Sequence, residues 1–432
     1  MGSGDVVWVI LDSVSFAATP FAPEGPNTMP KLSALASEEG VVYTRAYSPG
    51  PASPSAHGSM FTNRLPSTTG THEASPGYDG RFETIAGTLS ERPSLLVSPN
   101  PFLFDGLDAD FDVTVDLGGR RRGDTSVEWS VEEDATESVI EEVSSSDFVP
   151  PSAPDGDERF RNAGHVNACI DRFRKVCDGE SFVVANYMDA HPPYVPTSTS
   201  LDQFAGDRAN EDLPIGVPGH ELPTHEATAS EFEKAATTTL YHATVHDLDM
   251  EVAPLIRDFL GDGTAVIVTA DHGNWVDSPL ALDEQLINVP LIVFAPDYLP
   301  ETVDYTVSIR DLPSTTMDIL GRENPFPGES VLDVSGDRKS VSESIHEVGA
   351  ETPVAVENSG VEIQHDIVAI EGDTRVKRTD GTIERQIENP TSGAILERTV
   401  RELSVADPRS DEQPPQYDDA TLERLEDLGY RF

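Results

Sequence analysis

Two short apolar runs, each closed by an aspartate, constrain this chain more than any other feature. Val6-Val-Trp-Val-Ile-Leu11 leads into Asp12-Ser13, and Ala265-Val-Ile-Val268 leads through Thr-Ala into Asp271-His272-Gly273-Asn274. Short runs without polar alternation are strands buried on both faces, the mark of an α/β sheet covered by helices. Ligands of such sheets sit beyond the carboxyl ends of the strands, where loops converge beside helix N-termini. If the two strands are parallel neighbours, Asp12 and Asp271 share one edge. Two carboxylates brought together away from water are costly unless a cation lies between them. An acid next to an imidazole suits a divalent metal, and Gly273 permits a sharp turn. For the second run alone, a strand-end Asp with a solvent-facing His is an equally good account.

The rest of the chain repeats the α/β pattern. Met29 to Glu39 has helical periodicity, with Pro30 in its first turn and Gly40 at its end, and Val41 to Tyr47 follows as a strand. Pro54 and Ser55 fit the entry of a helix through Phe61, which puts Ser53 at the N-cap or just before it. A hydroxyl there either caps the helix or meets an anion at its free N–H groups. Thr84 to Leu89 reads as a helix, Ser94 to Ser98 as a strand carrying the loop Pro99-Asn100-Pro101, and Phe111 to Val115 as a further strand. Phe182 to Tyr187 is a buried strand that ends in Met-Asp-Ala-His191-Pro-Pro-Tyr194.

Glu231 to Leu260 is a long helix with Phe232, Leu240, Val245, Leu248, Val252, Leu255 and Phe259 on its apolar face; Pro254 is expected to break or kink it. His242 and His246 share one face, expected to be solvated. Residues 118–160 and 195–228 are loop-rich insertions, the first with an acidic helix over Val127 to Val143, the second with exposed His220 and His225. The chain divides into a catalytic unit, 1–341, and a smaller C-terminal α+β subdomain, 342–432. That subdomain is a meander over Val354 to Val356, Val361 to Val368 and Thr374 to Arg378, closing in a helix from Asp418 to Leu428. His346 either projects into the cleft or is structural.

Charge narrows the function classes. Among 432 residues, 77 acidic against 29 basic side chains give a net charge of -48, which makes nucleic acid and anionic membranes poor partners, and no nucleic acid is expected. Acids spread through helices and loops point to a protein of a high-salt cytosol, where screening removes self-repulsion. No apolar segment is long enough to span a bilayer, and Met1-Gly-Ser-Gly-Asp5 carries no basic leader. Cys169 and Cys177 lie in one helical segment, Asn162 to Cys177, and match no metal or redox spacing; they read as thiols of a cytoplasmic chain.

Four patterns in order resemble the sulfatase family of the alkaline phosphatase superfamily. They are the strand into Asp12, Ser53-Pro-Ser-Ala-His57 running on to Asn63-Arg64-Leu-Pro66, Tyr187-Met-Asp-Ala-His191-Pro-Pro-Tyr194, and Thr269-Ala-Asp271-His272-Gly273. Tyr241 to Asp249, Asn288 to Val293, Asp311 to Gly321 and Leu422 to Tyr430 add to the likeness. The resemblance implies an alkaline-phosphatase-like large mixed β-sheet covered by helices on both faces. It also implies hydrolysis of sulfate or phosphate esters of small molecules or glycans.

This chain departs from the family pattern at three points. Ser13 stands where a second acid is usual, His57 replaces the arginine of the formylglycine signature, and His272 takes the place of a frequent asparagine. An unmodified Ser53 is therefore expected rather than a formylglycine. The set Asp12, Ser53, Asp271 and His272 resembles the single-metal site of the phosphoglycerol-transferase branch, holding one ion, with Mn, Mg or Ca ahead of Zn. Ser53 is the expected nucleophile, activated by that ion. His191 is expected at a non-bridging or leaving oxygen, His57 as proton donor to the leaving group, and Arg64 as an anion clamp. A phosphotransferase, or an inactive relative that binds sulfated or phosphorylated glycans, is the alternative.

Overall fold

The computed structural model describes residues 4–118, 128–131, 162–177, 180–206, 213–222, 229–274, 282–348 and 362–403, with Leu422 and Leu425. Strand β1 (Val6–Leu11) lies at the centre of a mixed sheet of ten strands. On one side it pairs in parallel with Phe182–Tyr187, and on the other with Ala265–Thr269. The two aspartate-ended strands are thus parallel neighbours, in register with Val9 opposite Val268. Every residue of these three strands is buried, as expected of runs that lack alternation.

In chain order the large sheet comprises β1, β2 (Val41–Tyr47), β3 (Ser94–Ser98), β4 (Val113–Asp116), β5 (Glu128–Val131) and β6 (Phe182–Tyr187). It continues with β7 (Ala265–Thr269), β8 (Asn288–Phe294), β9 (Glu301–Val303) and β10 (Val307–Ser308). The order across the sheet is β10-β2-β8-β7-β1-β6-β3-β4-β5, with β9 also pairing β2. Strands β7, β1, β6 and β3 are adjacent and mutually parallel, so four carboxyl ends open on one edge.

Helices flank the sheet: α1 (Pro30–Glu39), α2 (Ser53–Thr62), α3 (Ala163–Val176), α4 (Ser198–Ala205), α5 (Glu231–Gly261) and α6 (Leu312–Ile319). Trp8 of β1 marks the α2 and α6 side. Its ring meets Phe61 edge-on at 5.9 Å, and its indole N–H donates to Thr316 Oγ1 at 3.0 Å. Asp249 of α5 accepts from the backbone N–H groups of Lys31 and Leu32, at 2.9 and 2.7 Å, and so satisfies the open first turn of α1.

Several expectations are corrected here. The stretch expected as an acidic helix from Val127 contains strand β5, antiparallel to β4; the rest of that stretch lies outside the described residues. Pro254 does not break α5, which runs unbroken for 31 residues from a Ser230–Glu233 capping box. Buried Val252, Leu255, Ile256 and Phe259 hold the turns on either side of it, so packing outweighs one missing hydrogen bond. Phe232 is 53% exposed and lies off the apolar face. His242 and His246 are not solvated: Phe204 of α4 covers both rings, and His246 Nδ1 lies 2.9 Å from Ser200 Oγ. Burial pushes His242 down to about 4.

A second, antiparallel sheet follows: β11 (Ser340–Glu347), β12 (Ile363–Glu371), β13 (Thr374–Thr379) and β14 (Thr382–Gln386). One face packs under α7 (Pro390–Glu402) through Val341, Ile367, Ala369, Val376, Leu396 and Val400. The other applies Val368 and Ile370 to Tyr47, Leu282, Leu286 and Ile287. Strand β14 and helix α7 were not anticipated from the sequence. Val354 to Val356, His225 and the His220 side chain lie outside the described residues, as does the helix expected over Asp418 to Leu428 except Leu422 and Leu425, which are helical.

Candidate active site

The four open strand ends, with α2, converge on one buried polar group. Strand β1 delivers Asp12, β7 delivers Asp271 and His272, β3 leads to Asn100, and β6 leads to His191. Strand β2 ends at Tyr47, and the five residues after it bring the chain to Ser53. Ser53 is the first residue of α2 rather than its cap, which is Ala52. Its hydroxyl therefore caps nothing and is turned to the strand ends.

Ser53 Oγ donates to Asp271 Oδ2 at 2.9 Å, accepts from Asn100 Nδ2 at 3.0 Å, and lies 3.4 Å from His272 Nε2. The other oxygen of Asp271 accepts from the backbone N–H of Ser13 at 3.1 Å and of His272 at 2.8 Å. Asp12 accepts from Ser13 Oγ at 3.0 Å and from Asn100 Nδ2 at 2.8 Å, with Asn186 Nδ2 at 3.5 Å. Asp12, Asp271 and Ser53 are at most 1% exposed.

Local backbone serves this arrangement. Ser13 adopts φ +63°, an uncommon conformation for a non-glycine residue, and this aims its N–H at Asp271. The Tyr241 hydroxyl steadies the turn by donating to the Ser13 carbonyl at 2.9 Å and accepting from Ser15 N–H at 2.9 Å. A Cβ on Gly273 would lie 1.8 Å from the Gln285 carbonyl oxygen, so only glycine fits after His272.

Among the described residues, Asp12, Asp271 and His272 form a group that can hold a metal ion, with one donor atom from each within 4.8 Å of the others. The fit is chemical as well as spatial. Two carboxylates are fully buried, and His272 Nδ1 lies 2.7 Å from the Gly273 carbonyl, so Nδ1–H donates there and Nε2 keeps its lone pair. Burial pushes the Asp271 carboxyl up. The His272 and His57 rings, with the hydrogen bonds from Ser13 and Ser53, outweigh burial and hold it below its usual range.

His57, one turn along α2 from Ser53, is fully buried, with Nε2 3.9 Å from Asp271 Oδ2 and no hydrogen-bond partner on either nitrogen. Burial lowers its pKa against the pull of Asp271 and Asp12. His191 is half-buried; its Nδ1 lies 2.6 Å from the Pro192 carbonyl, and burial lowers its pKa while Asp12 opposes the shift. The structure therefore gathers Asp12, Ser53, His57, His191, Asp271 and His272. Arg64 is left out of the group. It lies past the C-terminal end of α2, a helix length of roughly 15 Å from Ser53, with its guanidinium 4.2 Å over the Phe82 ring. His346 Nδ1 is engaged by Ser344 Oγ at 3.0 Å. Asn100 was visible in the sequence only as part of a loop, because its contacts come from residues 47 and 88 positions away.

The sheet order and the site place the chain among α/β folds whose ligands sit at a strand-end edge. The sulfatase family model matches residues 4–322, and the chain belongs to that family. It is 26% identical over 238 residues to the uncharacterized sulfatase YidJ of Escherichia coli (strain K12), a match spanning 49% of this chain and 44% of that relative. The chain thus spans under half the length of that curated relative. Its fold is similar to a phosphonate monoester hydrolase from Silicibacter pomeroyi, with a TM-score of 0.63 at 17% identity, covering 92% of this chain and 94% of that one. It is similar too to a protein solved with its substrate D-glucosamine-2-N,6-O-disulfate, with a TM-score of 0.65 at 13% identity, covering 92% and 97%.

Proposed function

We propose that this chain is a metal-dependent hydrolase of sulfate or phosphate esters, with unmodified Ser53 as its nucleophile. The observation that carries the reading is Ser53 Oγ at hydrogen-bond distance from Asp271 and beside the Asp12, Asp271 and His272 group. Family membership, and fold relatives named for a phosphonate monoester and a disulfated sugar, support the ester class.

Asp12, Asp271 and His272 would hold one divalent ion, with the Ser53 oxygen beside it. Such an ion lowers the pKa of a coordinated hydroxyl and neutralises charge on ester oxygens. Two hard carboxylates against one imidazole favour manganese, magnesium or calcium over zinc.

Ser53 Oγ attacks sulfur or phosphorus, forms the new ester bond and breaks the bond to the leaving oxygen. Its proton has an acceptor in Asp271 Oδ2. His191, whose Nδ1 lies 2.6 Å from the Pro192 carbonyl, supplies the leaving oxygen with a proton from Nε2 when its ring is protonated. His57, held against Asp271, is the alternative source of that one proton. Water then hydrolyses the Ser53 ester.

Phosphoryl chemistry, by hydrolysis or transfer, is favoured over sulfuryl by a plain hydroxyl and by His57 in place of the arginine of the formylglycine signature. The deciding experiment is Ser53→Ala, expected to lower kcat on the order of 10⁴-fold. Mass spectrometry of the peptide from Ala52 to Arg64 reads the side chain: a plain serine is expected, and an aldehyde returns the site to formylglycine chemistry. If a plain-serine protein and Ser53→Ala turn over nitrophenyl phosphate and sulfate esters equally, the nucleophile is misassigned; if neither protein turns over either ester, glycan binding without turnover becomes the better account.

Among the described residues no helix is long and apolar enough to cross a membrane. The net charge of -48 supports a high-salt cytosol as the working compartment. The midpoint of thermal unfolding should rise steeply between dilute buffer and molar KCl; an unchanged midpoint would remove that reading.

A further inference from the structure

We infer that Asn100 is a catalytic residue of the Ser53 reaction, its side-chain amide holding the nucleophilic oxygen and donating to the charge that develops there. The inference rests on Ser53 being the nucleophile.

Asn100 is 1% exposed, two residues beyond the end of β3. Both hydrogens of its Nδ2 are spent inside the site, one on Asp12 Oδ2 at 2.8 Å and one on Ser53 Oγ at 3.0 Å. Its Oδ1 accepts from Phe102 N–H at 3.0 Å, and its own N–H donates to Ser98 Oγ at 2.7 Å. Ser98 Oγ in turn donates to Asn186 Oδ1 at 3.0 Å. This network decides the orientation of the amide. Turned over, Asn100 would set its oxygen against the Asp12 carboxylate and lose the Phe102 bond.

With Asn100 donating, the hydroxyl hydrogen of Ser53 is left with two acceptors, Asp271 Oδ2 at 2.9 Å and His272 Nε2 at 3.4 Å, of which Asp271 is the nearer. With the hydrogen on Asp271 Oδ2, one lone pair takes the Asn100 N–H, and the second lone pair is open for bond formation. As the proton leaves, the N–H already faces the oxygen and needs no reorganisation, which is the condition under which a buried donor contributes most. A neutral amide does this without adding charge to a centre whose interacting ionisable groups are Asp12, Asp271, His57, His191 and His272.

The test compares Asn100→Ala and Asn100→Asp with wild type and Ser53→Ala, on whichever of bis(4-nitrophenyl) phosphate and 4-nitrophenyl sulfate wild type turns over faster. An aspartate oxygen accepts from Phe102 as the amide oxygen does, so Asn100→Asp keeps the loop bond and removes the donor but sets an oxygen against Asp12, whereas Asn100→Ala removes the donor without adding charge. Both variants should lose about 10²- to 10³-fold in kcat with little change in KM, while elemental analysis finds as much bound metal as in wild type. A kcat within tenfold of wild type in Asn100→Asp would overturn the inference. So would loss of metal together with activity in both variants, which would reduce Asn100 to a brace for Asp12. Wild-type turnover in Ser53→Ala is a different failure: it removes the nucleophile, and this inference with it.

Discussion

Two buried carboxyls, at two edges of the same molecule, behave in opposite ways. Asp271 at the strand-end edge is fully buried, yet it is held below the usual carboxylate range. Glu73, where the loop after α2 meets β11, is 1% exposed and pushed up to about 8, with burial the largest cause. The difference lies in the partners. Asp271 receives two backbone N–H groups and a hydroxyl, and the His272 and His57 rings lie beside it. Glu73 Oε2 takes the Ile345 N–H at 3.3 Å, and the hydrogen bonds the carboxyl receives, from its own backbone, Ile345 and Ser344, do not offset burial. The nearby Glu343 raises Glu73 further; Glu343 itself is supplied by Ser67 N–H at 2.8 Å, Ser67 Oγ at 2.9 Å and His365 Nε2 at 3.2 Å. Burial alone pushes a carboxyl toward its neutral form; a dense set of donors keeps one charged. The strand-end edge is thus built to present anionic ligands, and the seam between the two sheets to hide an acid.

The strongest way to break this comparison is Asp271→Ala. It should remove the bound metal, measured by elemental analysis after repletion, and lower turnover to background. The fold should survive, since the apolar residues of β7 are untouched, and circular dichroism would check that. Full metal content in this variant would mean the edge is not a cation site.

A smaller effect is expected from His191→Ala, about 10²-fold in kcat, the ordinary contribution of a general acid. The loss should be larger for alkyl than for nitrophenyl leaving groups, because a good leaving group needs no proton. A loss independent of the leaving group would make His191 a binding residue instead.

The seam gives the mildest test. The ordinary pKa of Glu73 is 4.5 and its folded value about 8, so over that window the native state holds a proton that the unfolded chain has lost. Stability contributed at Glu73 therefore falls as pH rises from about 4.5 through 8, then levels off. Glu73→Gln should match wild type near pH 4 and exceed it at pH 9 by a few kcal/mol, on the order set by that shift. Urea unfolding at pH 5, 7 and 9, in constant high salt, measures it. A pH-independent difference would mean that Glu73 is ionised in the fold.

The sequence by itself determined which segments become buried strands and where each ends. Asp12, Asp271-His272 and His191 were legible because an apolar run followed by an acid or imidazole is a local pattern, readable without knowing any neighbour. Ser53 was legible through the helix start behind it. Tertiary structure decided what no local pattern encodes. The contact that binds Asn100 to Ser53 and Asp12 joins residues far apart in the chain and depends on β1, β6 and β3 being parallel neighbours. Arg64, close to Ser53 in sequence, is carried off by the length of α2. His242 and His246 share a helix face that is polar in sequence and covered in space, His246 buried and His242 half-buried, because α4 folds over it. Whether a buried acid keeps its charge was likewise beyond the sequence, since Asp271 and Glu73 differ in the donors that folding brings to them, for Asp271 the Ser13 N–H and the Ser53 hydroxyl from distant parts of the chain.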